Sequence, residues 1–391
     1  MAKPVLGIMT LYLNDNRFLE ERSVYQKMIA AGKKLGLEVF VFTPQDVNYK
    51  QHRIQGMFYD TQSKAWSRRW CAFPHMIYDR CRIQRSHRFE QLKRFRAKYG
   101  HLTFLNRPLR NKWTVYKTLY ADSRFRPYLP ETRMMDSSRD ISEMVAKYPL
   151  LYVKPINGTG GRGILRIERS GTRSKSGRSS RSGRTWLIQG RDHSRRIISP
   201  EKVSLPSLQQ KLSGWGMKGT RYIIQRGIQL KLPNGRVHDY RMLVQKNRNG
   251  EWEPTGCAGR IGPKGSITSN LHGGGRAAGM RALLGQWIGN EDKITAIEQE
   301  AEEISVLIAK HLEQSYGHLC ELALDLAIDQ RGNIFLLEVN PKPAREVFAQ
   351  AGEKATYRNA LIRPLEYALW LYGQKSRRRQ KTIGMARDQE M

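Results

Sequence analysis

Asp325, Glu338 and Asn340 are the residues of this chain whose types and spacing most readily do chemistry. Glu338 and Asn340 stand two apart in an apolar run, so on a strand their side chains leave the same face. Asp325 belongs to the run Leu322–Ile328, on its Ala323/Ala327 side, and the turn Asp329-Gln330-Arg331-Gly332-Asn333 joins that run to Ile334–Val339 as a hairpin. Two carboxylates and an amide oxygen converging inside an apolar hairpin are expensive to bury without a cation. Hard oxygen donors in that number suit Mg²⁺, which keeps waters and is completed by phosphate oxygens. The same spacing also serves two carboxylates that merely pair with a nearby Arg or Lys.

A second candidate is the glycine-rich run Asn157-Gly158-Thr159-Gly160-Gly161-Arg162-Gly163, which follows the strand Leu150–Lys154. Such a loop lets backbone N–H groups approach a phosphate closely, although a plain turn reads the same way. It is neither G-x-x-x-x-G-K-[ST] nor G-x-G-x-x-G, so the P-loop and dinucleotide readings fail. Lys154, inside Leu150-Leu151-Tyr152-Val153-Lys154-Pro155, needs an anionic partner if it points inward. His238 and His272 flank the region, but a lone histidine is more often a structural hydrogen-bonding residue. Tyr78-Asp79-Arg80 ends a strand, where it either reads a substrate group or pairs Asp79 with Arg80. Trp66, Trp70 and the arginines around them could stack on bases, yet no recognisable nucleic-acid module contains them.

These residues need a scaffold larger than one core: 391 residues and 45.2 kDa imply two or three subdomains. The first hundred residues read β-α-β, with strands at 5–9, 37–42 and 76–79. Helical spacing marks Val24, Met28, Ala31 and Leu35, and again Phe89, Leu92, Phe95 and Tyr99. This is an open α/β layer, in which ligands meet the loops at strand C-termini. Asn106-Arg107-Pro108 reads as a boundary. Beyond it, Asn111-Lys112-Trp113 opens a short helix and Ser137 caps another. Strands return at 222–225 and 241–245, a glycine-rich stretch spans 256–279, and Ile294 to Leu312 mark a long amphipathic helix.

The charge is unusual. Lys and Arg number 68 against 35 acids, a formal net charge of +33. Residues 1–110 carry 21 basic against 8 acidic side chains, whereas 287–370 carry 8 against 14. Residues 169–184 are Ser/Gly/Arg low complexity, read as a mobile loop between two strands, and 374–391 as a solvated basic tail. Such a field attracts a polyanion, an anionic surface or an acidic substrate, or simply serves solubility. No apolar run approaches the ~20 residues of a membrane span. The apolar N-terminus lacks a small-residue cleavage site and reads as a strand, so no secretory signal is expected. Four scattered cysteines exclude a disulfide framework and a zinc cluster and point to a reducing compartment.

Taken in order, these pieces resemble the ATP-grasp superfamily: Lys112, then Lys154 before a glycine-rich loop, a hinge at Gln225-Arg226-Gly227-Ile228, and Asp239-Tyr240-Arg241. Asn270 to Gly275 (Asn-x-x-x-Gly-Gly) and Asp325-x12-Glu338-x-Asn340 complete the order, over roughly residues 109–345. A narrower resemblance covers nearly the whole chain. Leu6-Gly7-Ile8-Met9-Thr10, Phe40-Val41-Phe42-Thr43-Pro44, Ile77-Tyr78-Asp79-Arg80-Cys81 and Leu337-Glu338-Val339-Asn340-Pro341-Lys342-Pro343 are similar to the YheC/YheD family, ATP-grasp proteins described as endospore coat-associated in spore-forming bacteria. Two departures stand out: Gln225-Arg226 replaces the acids common in the hinge, and the 169–184 insertion has no counterpart in the general pattern.

The resemblance implies an α/β chain, α+β in its catalytic part, with an ATP-grasp fold behind an N-terminal open α/β (pre-ATP-grasp) layer. The expected divisions are 1–108 for that layer, 109–228 for the central subdomain, 229–373 for the C-terminal subdomain and 374–391 for the tail. It implies that Lys112 and Lys154 neutralise the α/β-phosphates of ATP. Gly158, Thr159, Gly160, Gly161 and Gly163, with Asn270 in the following motif, close on the phosphates. Gln225 and Ile228 meet adenine through backbone groups. Asp325, Glu338 and Asn340 hold one or two Mg²⁺, and Arg241 and Arg260 stabilise the transferring phosphoryl group. The implied reaction is carboxylate–amine (or –thiol) ligation through an acylphosphate, on small-molecule or peptide substrates. The rivals are a spore-associated structural or binding protein with a retained or degenerate ATP-grasp body, and an anionic-polymer or nucleic-acid binder. Spore-coat components are then possible partners, and the location is cytoplasmic or spore-associated.

Overall fold

The computed structural model describes residues 3–82, 86–158, 161–170, 185–194, 196–215, 219–271 and 274–388. The N-terminal layer begins with β1 (Val5–Met9), α1 (Arg22–Lys34) and β2 (Glu38–Phe42). Val24, Tyr25, Met28 and Ile29 bury one face of α1, the helical period acting as the sequence implies. β3 (Val47–Asn48), β4 (Arg53–Tyr59), β5 (Trp66–Cys71), β6 (Met76–Asp79) and α2 (His87–Tyr99) follow. The sheet order is β3-β4-β2-β1-β6 with β5 on the far side of β4, and β1 runs parallel to β2 and β6. β4 and β5 escape the sequence reading, because Arg68, Arg69 and Trp70 face solvent and leave no alternating apolar signal.

The central unit comprises α3 (Lys112–Ala121), β7 (Thr132–Met134), α4 (Ser138–Lys147), β8 (Leu150–Pro155), β9 (Ile164–Ser170), β10 (Thr185–Arg191), β11 (Ile197–Val203), α5 (Leu205–Ser213) and β12 (Tyr222–Arg226). Its antiparallel sheet has the order β11-β10-β9-β8-β12-β7, and α4 and α5 cover the face carrying Leu151, Val153, Ile167 and Ile224. Ser137 caps α4 through a capping box with Asp140. Ser170 and Thr185 pair directly across β9 and β10. The inner part of the basic insertion, 171–184, lies outside the described residues.

The last unit holds β13 (His238–Lys246), β14 (Trp252–Ile261), β15 (Arg276–Gly279), α6 (Met280–Trp287), α7 (Glu291–Tyr316), β16 (Glu321–Ile328), β17 (Ile334–Asn340), α8 (Glu346–Gln350) and α9 (Lys354–Asp388). Its sheet order is β15-β14-β13-β16-β17. α6 and α7 pack on the face carrying Tyr240, Met242, Leu324 and Leu326. The two ends of the glycine-rich stretch at 256–279 are strand, in β14 and β15. A Cβ at Gly259 would sit 2.4 Å from Leu283 Cδ2, so α6 packs against bare backbone there. The segment expected as a tail continues α9 as helix to Asp388, after Leu361, Leu365 and Tyr367 have packed into the N-terminal core with α1. Asn106, read as a boundary residue, is buried and accepts a 2.6 Å hydrogen bond from the Cys320 N–H.

Candidate active site

One face of the last sheet carries a ladder of charges. Arg241 on β13 stands opposite Asp325 on β16, Asp325 opposite Glu338 on β17, and Asp239 opposite Arg260 on β14. Asn340 stands opposite Ala323, beside the same ladder. A β-bulge produces this alignment. Leu326 pairs with Leu336, whereas Asp325 pairs with Glu338, so Leu337 is the extra residue. Without it Glu338 would fall opposite Leu324, on the face buried under α7. The spacing of Glu338 and Asn340 is legible in the sequence, but the bulge that aims both is not.

The arginines meet carboxylates directly. Arg241 Nε and Nη2 donate to Asp325 at 2.9 and 3.0 Å, and Arg260 Nη2 lies 2.9 Å from Asp325 Oδ2. Arg260 also grips Asp239 through Nε and Nη2 at 2.7 and 2.6 Å. Burial opposes the charge of Asp325, yet Arg241 and Arg260 pull its pKa down to about 2. Lys112 Nζ lies 3.1 Å from Glu338 Oε1 and donates at 2.6 Å to the Gly158 carbonyl, tying α3 both to the phosphate loop and to β17. The alternative of carboxylates paired with Arg and Lys thus describes how this face balances its charge.

Lys154 behaves differently. Its direct partner is neutral: Nζ donates at 2.7 Å to Gln225 Oε1, and Gln225 Nε2 donates to Thr132 Oγ1. Burial lowers the Lys154 pKa to about 8, assisted by Lys112 and opposed at longer range by Glu338, Asp325 and Asp239. Gln225 therefore points its side chain at the lysine, and its backbone lies in the ladder between Tyr152 and Thr132. Ile228 lies beyond that ladder and packs with Phe335 and Leu337 in a small apolar cluster.

The loop after β8 is shaped by its glycines. Gly161 and Gly163 have φ of 71° and 66°, where side chains are rarely accommodated. A Cβ on Gly161 would lie 2.9 Å from Asn270 Nδ2, and one on Gly163 would lie 2.8 Å from the His193 ring. Asn270 thus borders the loop. Thr159 and Gly160 lie outside the described residues, as does His272.

Cations outnumber carboxylates here: Lys112, Lys154, Arg241 and Arg260 against Asp239, Asp325 and Glu338. The excess suits an anionic ligand such as a triphosphate with its metal. The oxygen donors of Asp325, Glu338 and Asn340 are the hard ligands that a divalent cation such as Mg²⁺ takes.

Tyr78-Asp79-Arg80 does not form an Asp79–Arg80 pair. Arg80 reaches Glu321 and Glu21 at 2.8 Å each, and Tyr78 OH donates to Glu321. Arg345 Nη2 meets Glu321 at 2.5 Å, while Gln245 Nε2 donates to it at 3.0 Å. Asp79 pairs with Lys342 and accepts from Arg96 Nε at 2.9 Å. Arg80, Arg345 and Glu321 are fully buried, so this network welds the N-terminal layer to the segment that follows Asn340. The sequence signal for it is Lys342 and Arg345 directly after an apolar strand, with Glu321 heading another. His238 is structural: Nδ1 lies 2.8 Å from the Leu230 carbonyl and its ring meets Trp287 edge-on. Trp66 packs on Tyr59 and Arg22.

Three sheets in this order, with two lysines and a carboxylate–amide strand converging, define an ATP-grasp protein. Solved structures share that fold. D-cycloserine synthetase DcsG superposes with a TM-score of 0.54 at 12% identity, over 92% of this chain and 99% of its own. D-alanyl-alanine synthetase A from Vibrio cholerae gives 0.51 at 10% identity, over 93% and 99%. Within that class the chain belongs to the YheC/D like ATP-grasp family, whose model matches residues 101–371. It is 26% identical over 378 residues to the endospore coat-associated protein YheD of Bacillus subtilis (strain 168), covering 94% of this chain and 79% of that one. Among the described residues, no helix is long and apolar enough to cross a membrane.

Proposed function

We propose that this chain is an ATP- and Mg²⁺-dependent ligase that joins a carboxylate to an amine or thiol through an acylphosphate. Residues 1–108 form its N-terminal layer, 109–228 the central ATP-grasp subdomain and 229–373 the C-terminal one. The observation that carries the reading is Lys154: a part-buried lysine beside a glycine-rich loop, held by a neutral amide, whose charge awaits an anion. Lys112 and Lys154 bind the α/β-phosphates, the 158–163 loop covers the outer phosphates, and Asn270 supports the loop from below. Adenine lies against Ile228 and its apolar neighbours, next to the backbone beyond Gln225.

Asp325, Glu338 and Asn340 would hold Mg²⁺, which supplies charge neutralisation between the phosphates when bound. Arg241 and Arg260 hold Asp325 in place and present positive charge where the γ-phosphoryl group passes to the carboxylate oxygen. The nucleophile then attacks the acyl carbon, phosphate leaves, and the nucleophile gives up its proton. Positioning and charge do the work, and no protein nucleophile is needed.

The name of the Bacillus subtilis relative supports placement at the spore coat, and the second reading is a spore-associated structural or binding protein with a retained or degenerate ATP-grasp body and no turnover. ADP release across a panel of carboxylate and amine pairs separates the two. The ligase reading expects release that needs both substrates. No release across the panel favours the second reading, and release independent of any acceptor contradicts ligation.

A further inference from the structure

The N-terminal layer carries a groove that takes no part in the proposed ATP site. It lies between α2 and the turn Pro44–Asp46 after β2, near the C-terminal end of a parallel strand, where open α/β sheets bind ligands. Two cavities of about 450 and 420 Å³ adjoin there and share Gln45, Val47 and Tyr49. The first is walled by Lys50, Gln55 and Trp70, and the second by Gln91, Arg94 and Lys98 of α2.

We infer that this groove binds an anionic saccharide, a hydroxylated ring bearing a carboxylate or phosphate. The charge argument comes first. Among the described residues, Lys50, Arg94 and Lys98 have no carboxylate within ion-pair distance, whereas Arg68, beside the groove residue Asp46, and Arg96 on α2 are both paired. Lys98 Nζ is held over the Tyr49 ring at 5.2 Å, which keeps the cation on the groove side. The acid in the wall, Asp46, is already neutralised by Arg68 at 3.0 Å and by hydrogen bonds from Tyr12 and Thr43. A ligand therefore meets unbalanced positive charge.

The uncharged lining chooses the rest of the ligand. Gln45, Gln55 and Gln91 each offer a donor and an acceptor, which a sugar hydroxyl matches with either role. Among the described residues Gln91 Oε1 has no hydrogen-bond partner; it is shielded from solvent, so a ligand hydroxyl meets it only after the Gln91 side chain turns outward. Trp70 is 46% exposed and gives one open aromatic face, while Tyr49 is already stacked on Tyr99 at 5.9 Å. A single platform suits the apolar face of a sugar ring. A nucleobase strand would need successive free rings.

Titration calorimetry on the full chain tests this, with glucuronic acid, glucose 6-phosphate, glucose, inorganic phosphate, alginate and a thymidine oligonucleotide as probes. The inference expects saturable binding of the two anionic sugars. Glucose, which lacks charge, and phosphate, which lacks the ring, should each bind at least tenfold more weakly. The double variant Arg94→Ala/Lys98→Ala should lose at least tenfold in affinity with an unchanged melting temperature. Trp70→Ala, a surface change, should weaken the sugars and leave phosphate alone. Tighter binding of alginate than of glucuronic acid would identify a polymer as the source of the ligand, and equal binding a free sugar. No saturable sugar binding, equal affinity for phosphate, tighter binding of the oligonucleotide through the same residues, or full affinity in both variants overturns the inference.

Discussion

Lys112 on α3 and Glu338 on β17 meet at 3.1 Å, although one belongs to the central unit and the other to the last. The same lysine holds the Gly158 carbonyl, so the phosphate loop and the carboxylate strand share one cation. A ligand that takes up this lysine's charge must therefore act on both units together.

Lys154→Ala should weaken ATP binding by about 2–4 kcal/mol, the range for losing one partner of a partly buried charge pair. Lys117, which lies over the Trp113 ring at 5.8 Å, is the control, and Lys117→Ala should change little. Calorimetric titration of both variants with Mg·ATP decides the matter. Equal losses would mean that Lys154 does not face the nucleotide.

The pH dependence follows from the same residue. Burial lowers its pKa to about 8, so the lysine is charged below that pH and loses its charge above it. ATP affinity should be full near pH 7 and fall as pH rises from about 8 toward 9.5. Lys154→Arg, which stays charged throughout, should flatten that fall. A wild-type profile level across the range would remove Lys154 from the phosphate site.

Glu338→Gln should abolish Mg²⁺-supported turnover while the melting temperature stays close to wild type, because Glu338 is part-exposed and pairs only with Lys112 among the described residues. Asp325→Asn is a harsher change. It leaves Arg241 and Arg260 without a shared carboxylate, so it should lose stability as well as activity. Wild-type rates in Glu338→Gln would sink the metal assignment.

Glu321→Gln should cost about 3–5 kcal/mol of stability, the range for breaking a buried ion pair from one side, since Arg80 and Arg345 would both lose their shared acid. Urea unfolding measures this directly. A loss below about 1 kcal/mol, the scale of an exposed pair, would show that the network is not what joins the N-terminal layer to the rest.

Replacing 171–184 by Asn-Gly should leave the melting temperature and Mg·ATP affinity nearly unchanged, because Ser170 and Thr185 are already partners and a two-residue turn closes such a hairpin. The removed segment carries Arg173, Lys175, Arg178, Arg181 and Arg184, so binding to an anionic polymer should weaken and its salt dependence flatten. A loss of ATP affinity greater than about tenfold, or 1.4 kcal/mol, would instead make the insertion a lid.

Much of the scaffold was legible because its signals are local. Val24, Met28 and Leu35 announce α1, and the hairpin Leu322–Val339 with its Gly332 turn announces β16 and β17. What stayed hidden depends on partners distant in sequence. β5 has no apolar period, and the strand glycines of β14 look like loop until Leu283 is seen pressing on Gly259. The same holds for the site. Spacing placed Glu338 and Asn340 on one face, but the bulge at Leu337 and the grip of Arg241 and Arg260 on Asp325 appear only once three strands are side by side. Glu321, just before the run Leu322–Ile328, gives no local signal of its role, because its partners Arg80 and Arg345 are brought to it only by the fold.

The most direct test of the ligase reading follows an oxygen atom. With a carboxylate substrate labelled in both oxygens with ¹⁸O, together with Mg·ATP and an amine, one label should appear in the inorganic phosphate released, one for each bond formed. The account requires that transfer, because a carboxylate oxygen attacks the γ-phosphorus and leaves with it. Product formed with unlabelled phosphate would contradict the acylphosphate route.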